Sequence, residues 1–544
     1  MTSPDYDFVV VGSGFGGSVA ALRLAEKGWR VAVVEQGKRW RDQDFARTNW
    51  NLRKFLWMPR LGLHGIQQIT LLRDVLVLHG AGVGGGSLVY ANILLRPPDR
   101  AFRDPRWPGG RDWKAELAPH YHLASWMLGV ADPPRTFAAD DLLQQVVEEE
   151  TGRGHTFSRH PVGVFFGEPD RTVPDPYFGG EGPERTGCIF CGECMTGCRH
   201  DAKNTLVKNY LWLAERRGCQ VHPETRVQDL RPLPGGGWEV HTVGSTSWLR
   251  RQPRVLRAGG VVLAAGTLGT VRLLLECRAR GSLPGLSDQL GNWVRTNSEA
   301  LLGATARDEG VDYSQGIAIT SGVWPDDDTH VEIVRYGKGQ DFMALMATYL
   351  TGGGPPWPRW LRWLGNMIRH PLAFARAHWP FGWARRTAIM LVMQPLSSFM
   401  RLRLHRRPWG QTLVSEAGGE RPPTYFPLAN RLAERMAKKM RGTPGSVLPE
   451  VLFGTSSTAH ILGGATMGRT PADGVCDERG RVFGHENLWV ADGSLVPANL
   501  GVNPSLTITA LAEYVMSQVP ANPAGAPRPA PRPPAGREGP PRRP

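Results

Sequence analysis

The sequence predicts an α/β fold. Strand–turn–helix units of nucleotide-binding type stand at both ends and in the middle of the chain, with other material inserted between them. Three stretches carry that expectation. Residues 6–11 (YDFVVV) are a short apolar run, followed by glycines and by SVAALRLAEKG at helical spacing, with VAVVEQG as a second strand. A short apolar run giving way to a 3.6-residue period marks a β-α-β unit. Residues 259–276 (GGVVLAAGTLGTVRLLLE) read as another strand, turn and helix, and residues 487–497 (NLWVADGSLVP) as a strand and loop ahead of a closing helix in NPSLTITALAEYVMSQ.

The first turn, Gly12-Ser13-Gly14-Phe15-Gly16-Gly17, fits G-x-G-x-x-G. Gly12 permits the tight turn, Gly14 lets a pyrophosphate approach the backbone, and Gly17 allows close strand–helix packing. The helix N-terminus at Phe15 then faces the phosphates. Glu35 ends the second strand roughly 20 residues on, placed to accept from ribose hydroxyls; an acid there rather than an arginine favours FAD or NAD over NADP. A second glycine run, HGAGVGGGSLVYAN at 79–92, is too dense for a simple turn. It suits backbone lying against a flat ring or a phosphate.

TGCIFCGECMTGC, residues 186–198, sets Cys188, Cys191, Cys194 and Cys198 at C-x2-C-x2-C-x3-C, the spacing of bacterial ferredoxins. The ferredoxin run ends in Cys-Pro, whereas Cys198 precedes Arg199, and the chain has no second such motif. An iron–sulfur cluster, zinc on all four thiols and metal-free thiols all stay open. The metal-free reading is preferred, and the spacing is tight for tetrahedral zinc.

Residues 342–415 contain no Asp or Glu but ten Arg. Within them Trp357, Trp360, Leu361, Leu364 and Ile368 fall at helical spacing, with Arg359, Arg362 and Arg369 interleaved. Indole at headgroup level and guanidinium on lipid phosphate suit a membrane interface, so residues 355–386 are expected to form a membrane-facing lid. An amphipathic helix packed on its own core is the competing reading. Residues 521–544 are Pro, Ala, Gly and Arg with almost no apolar anchors, and are expected to be a disordered basic tail.

Lys+Arg 64 against Asp+Glu 50 gives a net charge of +14, which suits an anionic partner such as a membrane surface. No nucleic-acid recognition fold is visible, and none is expected as a partner. Outside the loop only Cys219, Cys277 and Cys476 occur, which argues against a secreted disulfide scaffold. No signal peptide is expected from MTSPDYDFVVVGSG, and no run approaches the ~20 apolar residues of a membrane span. The expected compartment is the cytoplasm, with peripheral membrane contact.

Together these pieces resemble the glucose-methanol-choline (GMC) flavoprotein oxidoreductases, in particular their cholesterol-oxidase-like branch. The resemblance rests on the glycine fingerprint with Glu35, GVGGGSLVYAN, CRHDAKNTLVKNYL, VVLAAGTLGTVRLLL, and AHILGGATMG with NLWVADGSLVPANLGVNPSLTITALAE. It implies a discontinuous Rossmann-type domain binding FAD non-covalently, over 1–40, 72–100, 204–298 and 451–520. An antiparallel-sheet substrate domain would be built from 41–71, 101–203 and 299–450. Matched motif by motif, the catalytic His is His460 and the Asn is Asn503, while Asp492 and Gly493 lie beside the flavin. Gly84, Gly85, Ser87, Asn92, Val227 and Gly266 complete the cofactor-binding set. THVEIVRYGKGQD resembles the stretch bearing a steroid-isomerising glutamate, matched by Glu332, and TNSEA places Asn297 at the start of the substrate sheet. The chain departs from the pattern in reading HILGG where steroid oxidases often read HPLGG, and YAN where NGG is expected.

The implied reaction is oxidation of a sterol or other lipid alcohol, with hydride passing to the flavin and electrons to O2 or another acceptor. A neutral imidazole at His460 can take the hydroxyl proton, Asn503 can hold the oxygen, and a desolvated Glu332 can shuttle a proton for 5-ene to 4-ene isomerisation. Two alternatives stand beside it. One is a GMC alcohol or sugar dehydrogenase passing electrons through an iron–sulfur cluster to a membrane acceptor; the other is a flavin-binding membrane adaptor without turnover.

Overall fold

Two seven-stranded sheets carry the architecture. The computed structural model describes residues 4–247, 252–307, 310–354, 356–408 and 410–533. In the first sheet Tyr6–Val11 pairs parallel with Val31–Val34 on one side and Arg254–Leu263 on the other. Gln220–His222 extends the parallel set beyond Val31–Val34. Leu488–Val490 takes the C-terminal end of Arg254–Leu263, while Trp238–Gly244 takes its N-terminal end antiparallel, with Thr225–Pro232 outside. Val9–Val11 and Val31–Val34 are buried throughout, the composition required of parallel strands covered on both faces. Three stretches hundreds of residues apart therefore meet in one α/β sheet.

The second sheet is antiparallel. Its order is Ala347–Tyr349, Thr443–Val447, Ala300–Thr305, Thr387–Met393, His330–Val334, Ile319–Val323 and Ser158–Arg159. Side chains alternate across it. Ala388, Met390 and Val392 pack with Leu142, Leu432 and Met436 of the covering helices, whereas Thr387, Ile389 and Leu391 face a large cavity. A small third sheet joins the hairpin Gln67–Leu71/Val75–Gly80 to Ser456–Thr458, which delivers the chain to His460.

Two expectations change. The tail expected to be disordered from residue 521 lies, over its described part, against the end of the first helix. Asn522 N–H donates to Lys27 O, Arg528 N–H to Glu26 O and Ala530 N–H to Glu26 Oε1. Backbone amides hold it, with Ala530 buried in the core, and backbone hydrogen bonds are a signal that composition does not carry; residues 534–544 lie outside the described residues.

In the expected lid, residue 355 lies outside the described residues. The helices Arg359–Arg369 and Pro371–Ala377 form, and Trp357, Trp360, Ile368, Leu372, Trp379 and Phe381 are exposed. Two of the three interleaved arginines turn inward, however. Arg359 donates to the carbonyls of Thr351 and Thr424, and Arg362 to those of Gly353 and Gly354, so both clip the helix to the chain beneath. No helix among the described residues is long and apolar enough to cross a membrane.

Candidate active site

A cavity of about 1110 Å3 runs between the two sheets. Pockets for a drug-sized ligand measure about 300–1,000 Å3, so this space suits a large cofactor together with a second molecule.

At one end the two glycine turns lie directly on each other. A Cβ on Gly85 would sit 2.6 Å from Gly14 Cα, whereas one on Gly14 would meet nothing within 4 Å. Bare backbone therefore faces open space at Gly14. The helix Phe15–Glu26 starts after it with no side-chain cap, which leaves its first amides free. The Ser13 hydroxyl donates to Glu35 Oε2 at 2.7 Å and accepts from Gly84 N–H at 3.0 Å, tying the turns together. The Ser87 hydroxyl braces the second turn by donating to Gly84 O at 2.7 Å. Glu35 also accepts from the Ser13 and Gly37 amides; burial pushes its carboxyl up, against those hydrogen bonds.

Gly12, Gly14, Phe15, Glu35, Gly85, Val227, Gly266, Asp492 and Gly493 line the cavity, and Gly17, Gly84 and Ser87 support it from behind. Asp492 accepts from Gly266 N–H and the Thr270 hydroxyl through Oδ2, and from Ser494 through Oδ1, so its role is to fix two turns. An uncapped helix start, stacked glycine backbone and an acid at the ribose position fit FAD.

Asn92 departs from this arrangement. At φ +74° it is off the cavity wall, and its side chain lies beside the Cys194 thiol. Among the described residues the Cys194 thiol is the one group its buried amide engages. Asn92 was expected to offer the flavin-facing amide; its left-handed backbone turns the side chain toward the cysteine loop.

At the other end of the cavity four distant segments converge. His460 Nδ1 lies 2.5 Å from Glu299 Oε1, and Glu299 Oε2 accepts from Ala459 N–H. The carboxylate fixes the tautomer with hydrogen on Nδ1, leaving Nε2 with its lone pair. Asn503 Nδ2 donates to Glu332 Oε2 at 3.0 Å and approaches His460 Nε2 at 3.4 Å. Both donors of this amide are thereby engaged, and its Oδ1, buried and without a partner among the described residues, is free to accept. Burial lowers the pKa of His460, but the charge and hydrogen bond of Glu299, with the charge of Glu332, more than offset it, so the imidazole is held above its ordinary value. Burial pushes Glu332 up to about 7 against the Asn503 hydrogen bond.

His460 and Asn503 are on the cavity wall, but Glu332 stands behind Asn503 and is fully buried. Asn297 plays a supporting part, donating from Nδ2 to Val502 O and accepting from Gly501 N–H next to Asn503.

Three residues of this wall were not foreseen. Glu299 lies in TNSEA, where one acid opening an apolar strand was the available signal. His160 and His330 stand behind Glu332: His160 Nε2 is 3.0 Å from His330 Nε2 and 3.8 Å from Glu332 Oε1. Burial lowers both imidazoles, His160 to about 4, which keeps them neutral. This trio and the group Cys191, Glu193 and His200 each bring their ligand atoms within 4.8 Å of one another.

The GMC oxidoreductase family model matches residues 428–512, and an FAD binding domain model matches residues 7–46. A cholesterol oxidase of Mycobacterium tuberculosis is 51% identical over 527 residues, spanning 94% of this chain and 91% of that protein. A cholesterol oxidase of Acinetobacter baumannii is 47% identical over 529 residues, covering 95% of both. Among solved structures, pyridoxine 4-oxidase from Mesorbium loti aligns at a TM-score of 0.61 with 16% identity, over 94% of this chain and 98% of that one; that likeness concerns the fold alone.

Proposed function

The chain belongs to the GMC oxidoreductases, and on that premise we propose that it oxidises the 3β-hydroxyl of a sterol such as cholesterol to the ketone. Bound FAD supplies the hydride acceptor. The observation that carries the reading is the His460–Glu299 pair beside Asn503, facing a chamber walled by Ile319, Ile389 and Leu391. The substrate hydroxyl donates to His460 Nε2 and accepts from the Asn503 amide, displacing the weak 3.4 Å contact between them. As the carbinol hydrogen departs, Nε2 takes the hydroxyl proton, and Glu299 stabilises the imidazolium so formed. The apolar strands exclude water and hold the sterol rings.

Glu332, whose carboxyl burial pushes up to about 7, is assigned the proton transfer of a 5-ene to 4-ene isomerisation, reached by a swing of the Asn503 amide. The exposed indoles and aliphatic side chains of residues 357–381, with Arg369 and Arg376, are assigned to a membrane interface from which the sterol is drawn. Ala377 and Trp383 connect that patch to the cavity wall.

The test is anaerobic mixing of the flavin-loaded protein with cholesterol. Bleaching of the flavin with formation of one ketone per flavin is expected. Bleaching by sugars or short alcohols, but by no sterol, would overturn the sterol assignment.

A further inference from the structure

The alcohol chamber is not apolar along its whole length. We propose that Tyr336, with the Thr305 and Thr387 hydroxyls, forms a polar subsite at its far end that takes an uncharged oxygen, a hydroxyl or a ketone, on the side chain of the sterol. The subsite rests on the sterol assignment and narrows it to sterols oxygenated on the side chain.

The register of the antiparallel sheet sets the distance. Three rungs cross its cavity face. The first holds Glu332, Leu391 and Leu301, beside Asn503. Two residues along, Val334, Ile389 and Gly303 form the second. Two further along, Thr387 pairs with Thr305, and Tyr336 follows Val334. Strand residues advance about 3.3–3.4 Å each, which puts the third rung about 13 Å from the first. Apart from Glu332 the first two rungs are apolar, and Gly303 adds no side chain, so a flat ring system can lie along them. With the 3β-hydroxyl at His460, the side chain at the opposite end of the rings arrives at the third rung.

There the wall changes character. The Thr305 and Thr387 hydroxyls lie 2.9 Å apart and share one hydrogen bond, which leaves one hydroxyl hydrogen unused between them. Tyr336 packs with Ile389, Met343 and Trp383, its ring 6.2 Å from the indole. Among the described residues its hydroxyl bonds to no group; burial pushes the phenol up with no hydrogen bond or charge opposing. A buried tyrosine hydroxyl usually finds a partner, and one left unpaired among apolar side chains is costly. Tyr336, Thr305 and Thr387 all line the cavity, so the missing partner belongs to the molecule that fills the chamber.

Charge decides the class of that partner. Among the described residues the cations on the cavity wall are Arg60, Arg226 and Arg272, and none of them belongs to the antiparallel sheet. A carboxylate at the third rung would be buried without a counter-charge. A hydroxyl or ketone needs only the phenol and threonine hydrogens. Met343, beside the ring, adapts to the aliphatic remainder of the tail.

The test compares cholesterol with cholesterol hydroxylated on the side chain close to the rings, and with the matching side-chain carboxylic acid. The flavin-loaded full chain is used in detergent. Initial rates give kcat/KM, and perturbation of the flavin absorbance by the corresponding ketones gives Kd without turnover. The hydroxylated sterol should exceed cholesterol by about tenfold in both, the size of one net hydrogen bond. Tyr336→Phe should bring that ratio to within about 2-fold of unity, by weakening the hydroxylated sterol and strengthening cholesterol, and Thr387→Val should lower it by about 3-fold. A ratio near unity in the wild type would overturn the subsite, as would a ratio that both variants leave in place or a preference for the acid. Oxidation of none of these sterols, with the binding ratio as expected, would overturn the proposed reaction and leave the subsite standing.

Discussion

The two ends of the cavity are built in opposite ways. The cofactor end is backbone: glycines stacked at Gly14 and Gly85, an uncapped helix start, and one acid. The alcohol end is side chains: His460, Asn503, Glu299 and Glu332, drawn from segments as far apart as residues 299 and 503 and all at least nine-tenths buried. Backbone amides need no proton balance, so such a site is written in a short local motif, and Glu35 is its one titratable group. Buried titratable groups have to offset one another's desolvation. They hold only as a set, and pH reaches each of them. Within the set the two glutamates differ again. Glu299 accepts from a backbone amide and the imidazole, whereas Glu332 has one amide hydrogen bond and an Oε1 without a hydrogen-bond partner among the described residues.

The sharpest test of this contrast breaks each end separately. Gly17→Val would drive a Cβ to 2.0 Å from Gly12 O, and overpacking of that kind costs about 1–3 kcal/mol or more. The expected product is a protein without flavin and without activity. His460→Gln should instead keep full flavin content and lose about 10^3-fold in kcat/KM, within the range of a removed general base. Flavin absorbance and steady-state rates of both variants check it; loss of flavin in the histidine variant would mean that the two ends are not independent.

Next in size is Glu299→Gln. Removing the carboxylate loses the partner of the imidazolium, and a fall of about 10^2 in kcat is expected. The same change should move the acid limb of the pH profile. His460 works as a base only when neutral, and Glu299 holds its pKa above the ordinary value. The limb should therefore shift to lower pH in the variant even as the plateau falls. A profile that keeps the wild-type limb would show that another group sets it.

How much of this was visible in the sequence follows the same division. Gly12, Gly14 and Glu35 could be read because a strand, a turn and a helix sit next to them. His460 and Asn503 could be read only through a block resembling a known family. Glu299 could not, since its partner lies 161 residues away and a glutamate opening a strand is usually solvated. Arg359 and Arg362 misled because an arginine between tryptophans reads as outward-facing, while the free carbonyls it clips belong to a glycine-rich stretch beneath.

Glu332→Gln probes the second glutamate. Oxidation should stay within about 3-fold of wild type, while the conjugated enone from cholesterol should fall at least 10-fold. Stability should report the buried carboxyl independently. Its folded pKa, about 7, lies above the ordinary glutamate value of about 4.3, so its stabilising contribution is complete below the ordinary value and is lost as pH rises through 7. That difference amounts to something on the order of 3 kcal/mol. The variant should accordingly gain on wild type between pH 4.5 and 7.5 in paired thermal melts. Parallel curves would exclude a neutral buried acid at this position.

The smallest effect belongs to the exposed apolar patch of residues 357–381. Ile368, Leu372 and Trp379 are 77%, 70% and 57% exposed, and each would contribute at most about 1.5–3 kcal/mol if fully buried. Shallow insertion at a headgroup boundary recovers only part of that. Replacing all three by Ser should weaken binding to anionic cholesterol vesicles by about 10- to 100-fold and raise the apparent KM for vesicle cholesterol to match. The kcat for sterol in detergent micelles should not move, because none of the three touches the His460–Asn503 wall. Arg369 and Arg376 supply exposed positive charge beside them, so Ser at those two positions should reduce vesicle binding only at low salt. Unchanged vesicle binding in the triple variant would return these helices to the competing reading, a surface helix packed on its own domain. It would also separate the sterol chemistry, which the cavity carries alone, from any role of the membrane in delivering the sterol.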